Sequence, residues 1–234
     1  MSHAELRERV LDANLAIVEA GLVVLTFGNV SAVDRDDGVM AIKPSGVAYE
    51  DLRPESIVLV ELESGEVGEG QLRPSSDTPT HLVLYREFPS VGAIIHTHSP
   101  YATAWAQARR PIPCLGTTHA DHFDGTIPVT RSLSPAELAG DYEAATGEVI
   151  VETHHALGLD PLRMPAVLVS SHGPFVWGVD LARALENAVA LEEVARSTLR
   201  SFQIAPDAGE IDPLLLRKHF ERKHGAGAYY GQPG

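Results

Sequence analysis

Val91-Gly92-Ala93-Ile94-Ile95-His96-Thr97-His98 is the stretch from which the rest of the chain becomes readable. Its apolar part is short, rich in β-branched residues and opened by Pro89 and Ser90, the pattern of a buried strand. Residues i and i+2 of a strand share a face, with Cα atoms roughly 6.6 Å apart. Two imidazoles at that spacing can close on one ion at about 2.0–2.1 Å per bond. The same pair could equally be two polar side chains at a strand end, each bonded to backbone or water.

On either side of this strand, hydrophobic periodicity and turn residues set out the other elements. Leu6, Val10, Leu11, Leu15 and Val18 fall near helical spacing, and Gly21 closes that helix. Short β-rich runs follow at Leu22–Thr26, Val30–Val33, Val39–Ile42 and Ile57–Glu61, punctuated as in an antiparallel meander. Ser76-Asp77-Thr78-Pro79 reads as a helix start, with a capping side chain and proline in the first turn. Tyr101–Ala108 reads as a helix, 111–134 as loop, and about 135–157 as helical. A second apolar strand, Ala166–Ser170, precedes Ser171-His172-Gly173. Long helices follow over Leu181–Phe202 and Pro213–Lys223. Early strands with interleaved and late helices predict an α/β sheet covered on both faces. No regular βαβ alternation and no G-x-G-x-x-G is present, so a dinucleotide site is not expected.

Composition narrows the function classes. Of 234 residues, 44% are hydrophobic and 21% charged, the balance of a globular protein. The net charge of −14 argues against nucleic acid as a partner. No apolar run is long enough for a membrane span, and the charged first residues do not read as a secretory signal. Cys114 is the only cysteine, which fits a reducing, cytoplasmic setting and leaves His and carboxylate as the metal ligands.

Four constellations carry chemistry. His172 occupies the same kind of strand-end position as His96 and His98, and Asp77 sits at a helix start. Three His, with or without a carboxylate, suit a catalytic zinc ion, although a lone His-Gly turn is more often a solvated one. Gly28-Asn29, Lys43-Pro44-Ser45-Gly46 and Ser75-Ser76 are small polar clusters of the kind that cradle phosphate, yet each alone is an ordinary turn signal. Thr117-Thr118-His119-Ala120-Asp121-His122 is a loop dense in titratable groups. Tyr229-Tyr230 lies so near the end that, taken alone, it reads as a frayed tail.

Together these motifs carry a resemblance. They are Gly28-Asn29-Val30-Ser31, Lys43-Pro44-Ser45-Gly46, Ser75-Ser76-Asp77-Thr78-Pro79-Thr80-His81, His96-Thr97-His98-Ser99, Gly116-Thr117-Thr118-His119-Ala120-Asp121 and the tail through Tyr229-Tyr230-Gly231-Gln232. In this order and at these intervals the chain resembles the class II aldolase/epimerase family, and within it the ribulose-phosphate 4-epimerase branch. The resemblance implies one domain over 1–234 with a three-layer α-β-α fold around a mixed, largely antiparallel sheet. It implies one zinc, replaceable by other divalent ions, on His96, His98 and His172, with Asp77 on the metal or beside it. Asn29, Ser45, Gly46, Ser75 and Ser76 would hold the phosphate of a sugar phosphate, with Lys43 near. Asp121 and Tyr230 would be the acid–base pair. A cyclic homotetramer would bring the C-terminal helix and tail, about 213–234, to a neighbour's site, so that Tyr230 enters from the chain next to Asp121's. The implied reaction interconverts L-ribulose 5-phosphate and D-xylulose 5-phosphate through cleavage and re-formation of C3–C4. The alternative is a sugar-phosphate aldolase. Aldolases of this family that cleave fuculose 1-phosphate carry Glu where this chain has Asp77.

Overall fold

Ser2 starts the first element: its hydroxyl accepts a hydrogen bond from the Glu5 amide (3.2 Å) and caps α1 (His3–Glu19). Leu6, Val10, Ala13 and Ile17, three or four residues apart, form the buried face of α1. The computed structural model describes residues 2–68, 71–225 and 227–229. After α1 come β1 (Asn29–Asp34), β2 (Val39–Ile42), β3 (Val58–Glu61), α2 (Thr78–Glu87), β4 (Ala93–His96), α3 (Pro100–Ala108) and α4 (Thr117–Ala120). Then follow α5 (Pro135–Ala139), α6 (Tyr142–Leu157), β5 (Ala166–Leu168), β6 (Pro174–Gly178), α7 (Leu181–Ile204) and α8 (Pro213–His224).

The six strands form one sheet in the order β3-β2-β1-β4-β6-β5. Every pairing between them is antiparallel. The sheet is therefore less mixed than expected: among the described residues, parallel pairing is confined to an isolated bridge between Val129 and Leu168. Strand side chains alternate between two cores. Val30, Ala32, Ala41, Ala93, Ile95 and Val176 face the core shared with α1, α3 and α7. Met40, Ile42, Ile94, Phe175 and Trp177 face the opposite core, where α2 packs against α6. Helices on both faces of one sheet give the expected three layers.

Three segments differ from the sequence reading. Leu22–Thr26 is not a strand but a turn-rich connection, entered through Gly21 at φ +71°. Only Leu22 is buried there, while Val24 and Leu25 point outward, so the apolar run serves the path from α1 to β1 rather than a ladder. Leu25 takes a left-handed φ of +56°, a strained choice for a leucine. Conversely, β6 stands between β4 and β5 where no strand was expected. Its Phe175-Val176-Trp177 run is buried on both faces and lacks alternation, and Pro174 is tolerated because it is the strand's first residue. The segment 111–134, read as loop, also contains the single-turn helix α4.

Two of the buried histidines, His81 and His119, set an acid limit on stability. Burial pushes His81 down to about 3, against a favourable Asp77 charge and with His96 adding to the drop. Burial takes His119 to about 4, only partly offset by its hydrogen bond to the Gly125 carbonyl. Both ordinarily titrate near 6.5, so below that pH the unfolded chain binds protons that the folded chain refuses. Stability is therefore expected to fall steadily as pH drops from about 6.5 toward 4. His119→Gln, which keeps a donor for Gly125, should flatten that slope in melting curves recorded across the range. An unchanged slope would contradict this account.

Candidate metal centre and phosphate cleft

His96 ends β4 and lies against Phe175 of β6, ring centroids 4.2 Å apart and nearly parallel. Its Nδ1 donates to the Pro174 carbonyl at 2.9 Å, which fixes the tautomer and leaves Nε2 as the free lone pair. His98 lies two residues on, past the strand end, and its Nε2 comes within 3.2 Å of His96 Nε2. Two nitrogens bound to one tetrahedral ion at 2.0–2.1 Å stand about 3.3–3.4 Å apart, so this pair has the separation a shared ion requires.

His172 arrives from the other side, on the turn between β5 and β6. Its amide donates to the Val169 carbonyl at 3.0 Å, and Ser171 before it takes φ +62°. Gly173 after it has no room for a side chain: an added Cβ would meet the Thr97 carbonyl oxygen at 2.8 Å. That close approach seats the turn against the segment carrying His98. The His172 ring is 4.8 Å from that of His96 and 5.0 Å from that of His98. One ligand atom from each of His96, His98 and His172 lies within 4.8 Å of the other two. Burial first, then the neighbouring imidazoles, drive His172 down to about 4 and also lower His98. Both shifts favour the neutral imidazole, the state that binds a metal. Position, protonation and donor type all fit a divalent ion such as zinc.

Asp77 is at the start of α2 but does not cap it. Its carboxylate instead accepts from Asn29 Nδ2 at 2.6 Å. Burial pushes its pKa up, but His96, His81 and the Asn29 bond outweigh this and hold it below the usual carboxylate range. Asp77 lines the same cleft as the three histidines, though it is not part of the three-histidine group.

The small polar clusters meet here too. Ser75 N donates to the Lys43 carbonyl and Ser45 N to the Arg73 carbonyl, both at 3.0 Å, so the two serine loops are stitched side by side. Asn29 Nδ2 also donates to Ser75 Oγ at 3.1 Å. Gly28 and Gly46 supply the positive φ that these turns need, +108° and +70°. A Cβ on Gly28 would also strike the His96 carbonyl oxygen at 2.8 Å. The Lys43 ammonium is buried, donates to the Val47 carbonyl at 2.8 Å and lies 4.8 Å from the Tyr49 ring centroid. The cleft holds about 340 Å³ and is lined by Asn29, Lys43, Ser45, Gly46, Ser75, Ser76 and Asp77 together with the three histidines.

Asp121 is placed differently. It follows α4 and does not line the cleft of its own chain. Its carboxylate is held by α8: Arg222 donates twice, at 3.1 and 2.8 Å, and His219 Nδ1 lies at 3.0 Å. His224 Nε2 donates to its carbonyl at 2.8 Å. Burial raises the Asp121 pKa, but the bonds to Arg222 and His219 win and lower it. Tyr230 lies outside the described residues. Tyr142 and Glu143, at the start of α6, and Phe27 in the α1–β1 connection line the cleft without having been foreseen. Among the described residues, no helix is long and apolar enough to cross a membrane.

Solved structures share this architecture. An L-fuculose 1-phosphate aldolase matches with a TM-score of 0.79 at 24% identity, covering 95% of this chain and 99% of the other. YgbL from Klebsiella pneumoniae matches at 0.73 and 25%, covering 93% and 99%. L-fuculose-1-phosphate aldolase from Thermus thermophilus matches at 0.66 and 24%, covering 89% and 100%. Residues 8–199, most of the chain, match the family described as Class II Aldolase and Adducin N-terminal domain, and the chain belongs to that family.

Proposed function

We propose that this protein is a metal-dependent sugar-phosphate enzyme acting as an L-ribulose-5-phosphate 4-epimerase. The observation that carries the reading is the meeting, in one cleft, of a three-histidine cluster and the Asn29–Ser45–Ser75–Ser76 cradle. C4 of the substrate is not adjacent to its carbonyl, so inversion there requires C3–C4 to break and re-form. His96, His98 and His172 would hold a divalent ion, zinc by the donor set, which would supply Lewis-acid chemistry at the carbonyl end of the substrate. The cradle hydroxyls and main-chain amides grip the phosphate, so the two-carbon aldehyde fragment turns without leaving. Lys43, already bonded to main-chain carbonyls, adds positive charge at that end. Asp77, kept ionised, holds Asn29 in place at the wall of the cleft.

The proton at the C4 hydroxyl is assigned to Asp121 and Tyr230. Asp121 is tied to α8 through Arg222, His219 and His224, directly before the tail that carries Tyr230. Asp121 therefore stands outside the cleft of its own chain. The resemblance puts Tyr230 on the chain next to Asp121's. Because Asp121 is held by α8 and Tyr230 follows α8 closely in the sequence, we assign both instead to one chain, serving the cleft of a neighbouring copy in a closed homo-oligomer, a cyclic tetramer by resemblance.

Asp77, in place of the Glu of fuculose-phosphate aldolases, favours the epimerase over the aldolase. The test is a direct comparison of L-ribulose 5-phosphate and L-fuculose 1-phosphate. The higher kcat/KM is expected on the pentose phosphate, and a clear preference for the deoxyhexose phosphate would hand the protein to the aldolase reading. The cradle makes a separate prediction. Ser75→Ala and Ser76→Ala should each weaken substrate binding by about 1.5–3 kcal/mol, the worth of a hydrogen bond to a charged group, with metal content unchanged. Equal efficiency of the parent enzyme on L-ribulose and its 5-phosphate would contradict the phosphate assignment.

A further inference from the structure

Ligand histidines need an orienting partner on the ring nitrogen that faces away from the metal. For His96 that partner is main chain, the Pro174 carbonyl. For His172 it is a side chain: the Tyr142 hydroxyl lies 3.3 Å from Nδ1, with ring centroids 6.4 Å apart. Tyr142 is itself firmly placed. It is the first residue of α6, Asp141 before it accepts from the Ala144 amide at 3.0 Å, and Thr146 Oγ1 donates to its carbonyl at 2.9 Å. It also lines the cleft.

The structure assigns Tyr142 as a positioning residue that holds His172 in the Nδ1–H tautomer, with Nε2 toward the metal, and turns its own hydroxyl hydrogen into the cleft. This rests on the metal-centre reading above. A neutral imidazole that binds metal through Nε2 carries its proton on Nδ1. That N–H donates to the phenol oxygen, so the phenol hydrogen is left for another acceptor. A phenol ordinarily titrates at about 10, so it keeps its hydrogen at neutral pH. Asp77 and Glu143 line the same cleft, where a sugar oxygen would be a further acceptor. The two orienting bonds differ in kind. The one on His96 is built into a strand pairing, whereas the one on His172 depends on a replaceable side chain at a helix start.

The experiment is Co(II) titration of wild type and Tyr142→Phe, read by visible absorption and by competition with a chelator. Loss of an orienting partner costs about 10–100-fold in metal affinity, and that loss is expected here with a shifted d–d spectrum. Tyr142→His, which restores a polar group at the same place, should recover part of it. In parallel, nitrogen-15 spectra of the histidine rings in the metal-loaded wild type should show His172 protonated on Nδ1. A Phe variant with wild-type affinity and spectrum would overturn the assignment, as would a His172 proton on Nε2. A wild type that takes up no Co(II) would instead overturn the metal centre itself.

Discussion

His98→Asn is expected to lose metal and turnover together. His98 supplies one of three nitrogens, and its Nε2 stands 3.2 Å from His96 Nε2. Asparagine cannot bring a neutral nitrogen lone pair to that point. Removing a ligand should cost more than the roughly 10–100-fold in metal affinity that loss of an outer partner costs. The fold should survive, because His98 lies beyond the end of β4 and contributes nothing to the ladder. Elemental analysis after dialysis should find less than stoichiometric metal, with melting temperature near that of chelated wild type. A variant that keeps one tightly bound ion per chain and full activity would remove His98 from the site.

Asp121→Asn should keep its metal and lose most of its activity. General acid–base groups contribute about 10²–10⁴ in rate, and the amide is a near-isostere that cannot take the proton. The same substitution also weakens the grip of Arg222 and His219 on Asp121, so kcat and the seating of α8 fall together. Mixing experiments separate the arrangements. If each cleft draws its histidines from one chain and its Asp121 and Tyr230 from the next, His98→Asn and Asp121→Asn chains should complement. Co-assembled in equal amounts, they should regain about one quarter of wild-type sites in a closed ring. Asp121→Asn with Tyr230→Phe should regain none, because no chain then offers both residues. The reverse pattern would place Asp121 in its own chain's cleft.

The metal pair was legible from eight residues because a strand has a strict period of two, so His96 and His98 had to stay close. His98 nevertheless falls past the strand end, where the strand period alone no longer fixes it. His172 was recognisable as a strand-end histidine, but its approach to the pair is set by β6, a short doubly buried strand without alternation. Leu22–Thr26 misled for the opposite reason: β-forming residues fill a connection that has no neighbour to pair with. Tyr142 and Glu143 carry no local signal, since the start of α6 reaches the cleft only through tertiary packing. Asp121 was marked by its polar loop, yet the partners that hold it lie 98 and 101 positions later.

In the proposed reaction this cleft breaks and re-forms C3–C4 of a pentulose phosphate without releasing the pieces. A proton-NMR time course of metal-loaded enzyme with L-ribulose 5-phosphate tests it most directly. D-xylulose 5-phosphate should grow in until the two sugars reach equilibrium, with no dihydroxyacetone or glycolaldehyde phosphate accumulating. Accumulation of those two fragments, or no reaction with this sugar at all, would contradict the account.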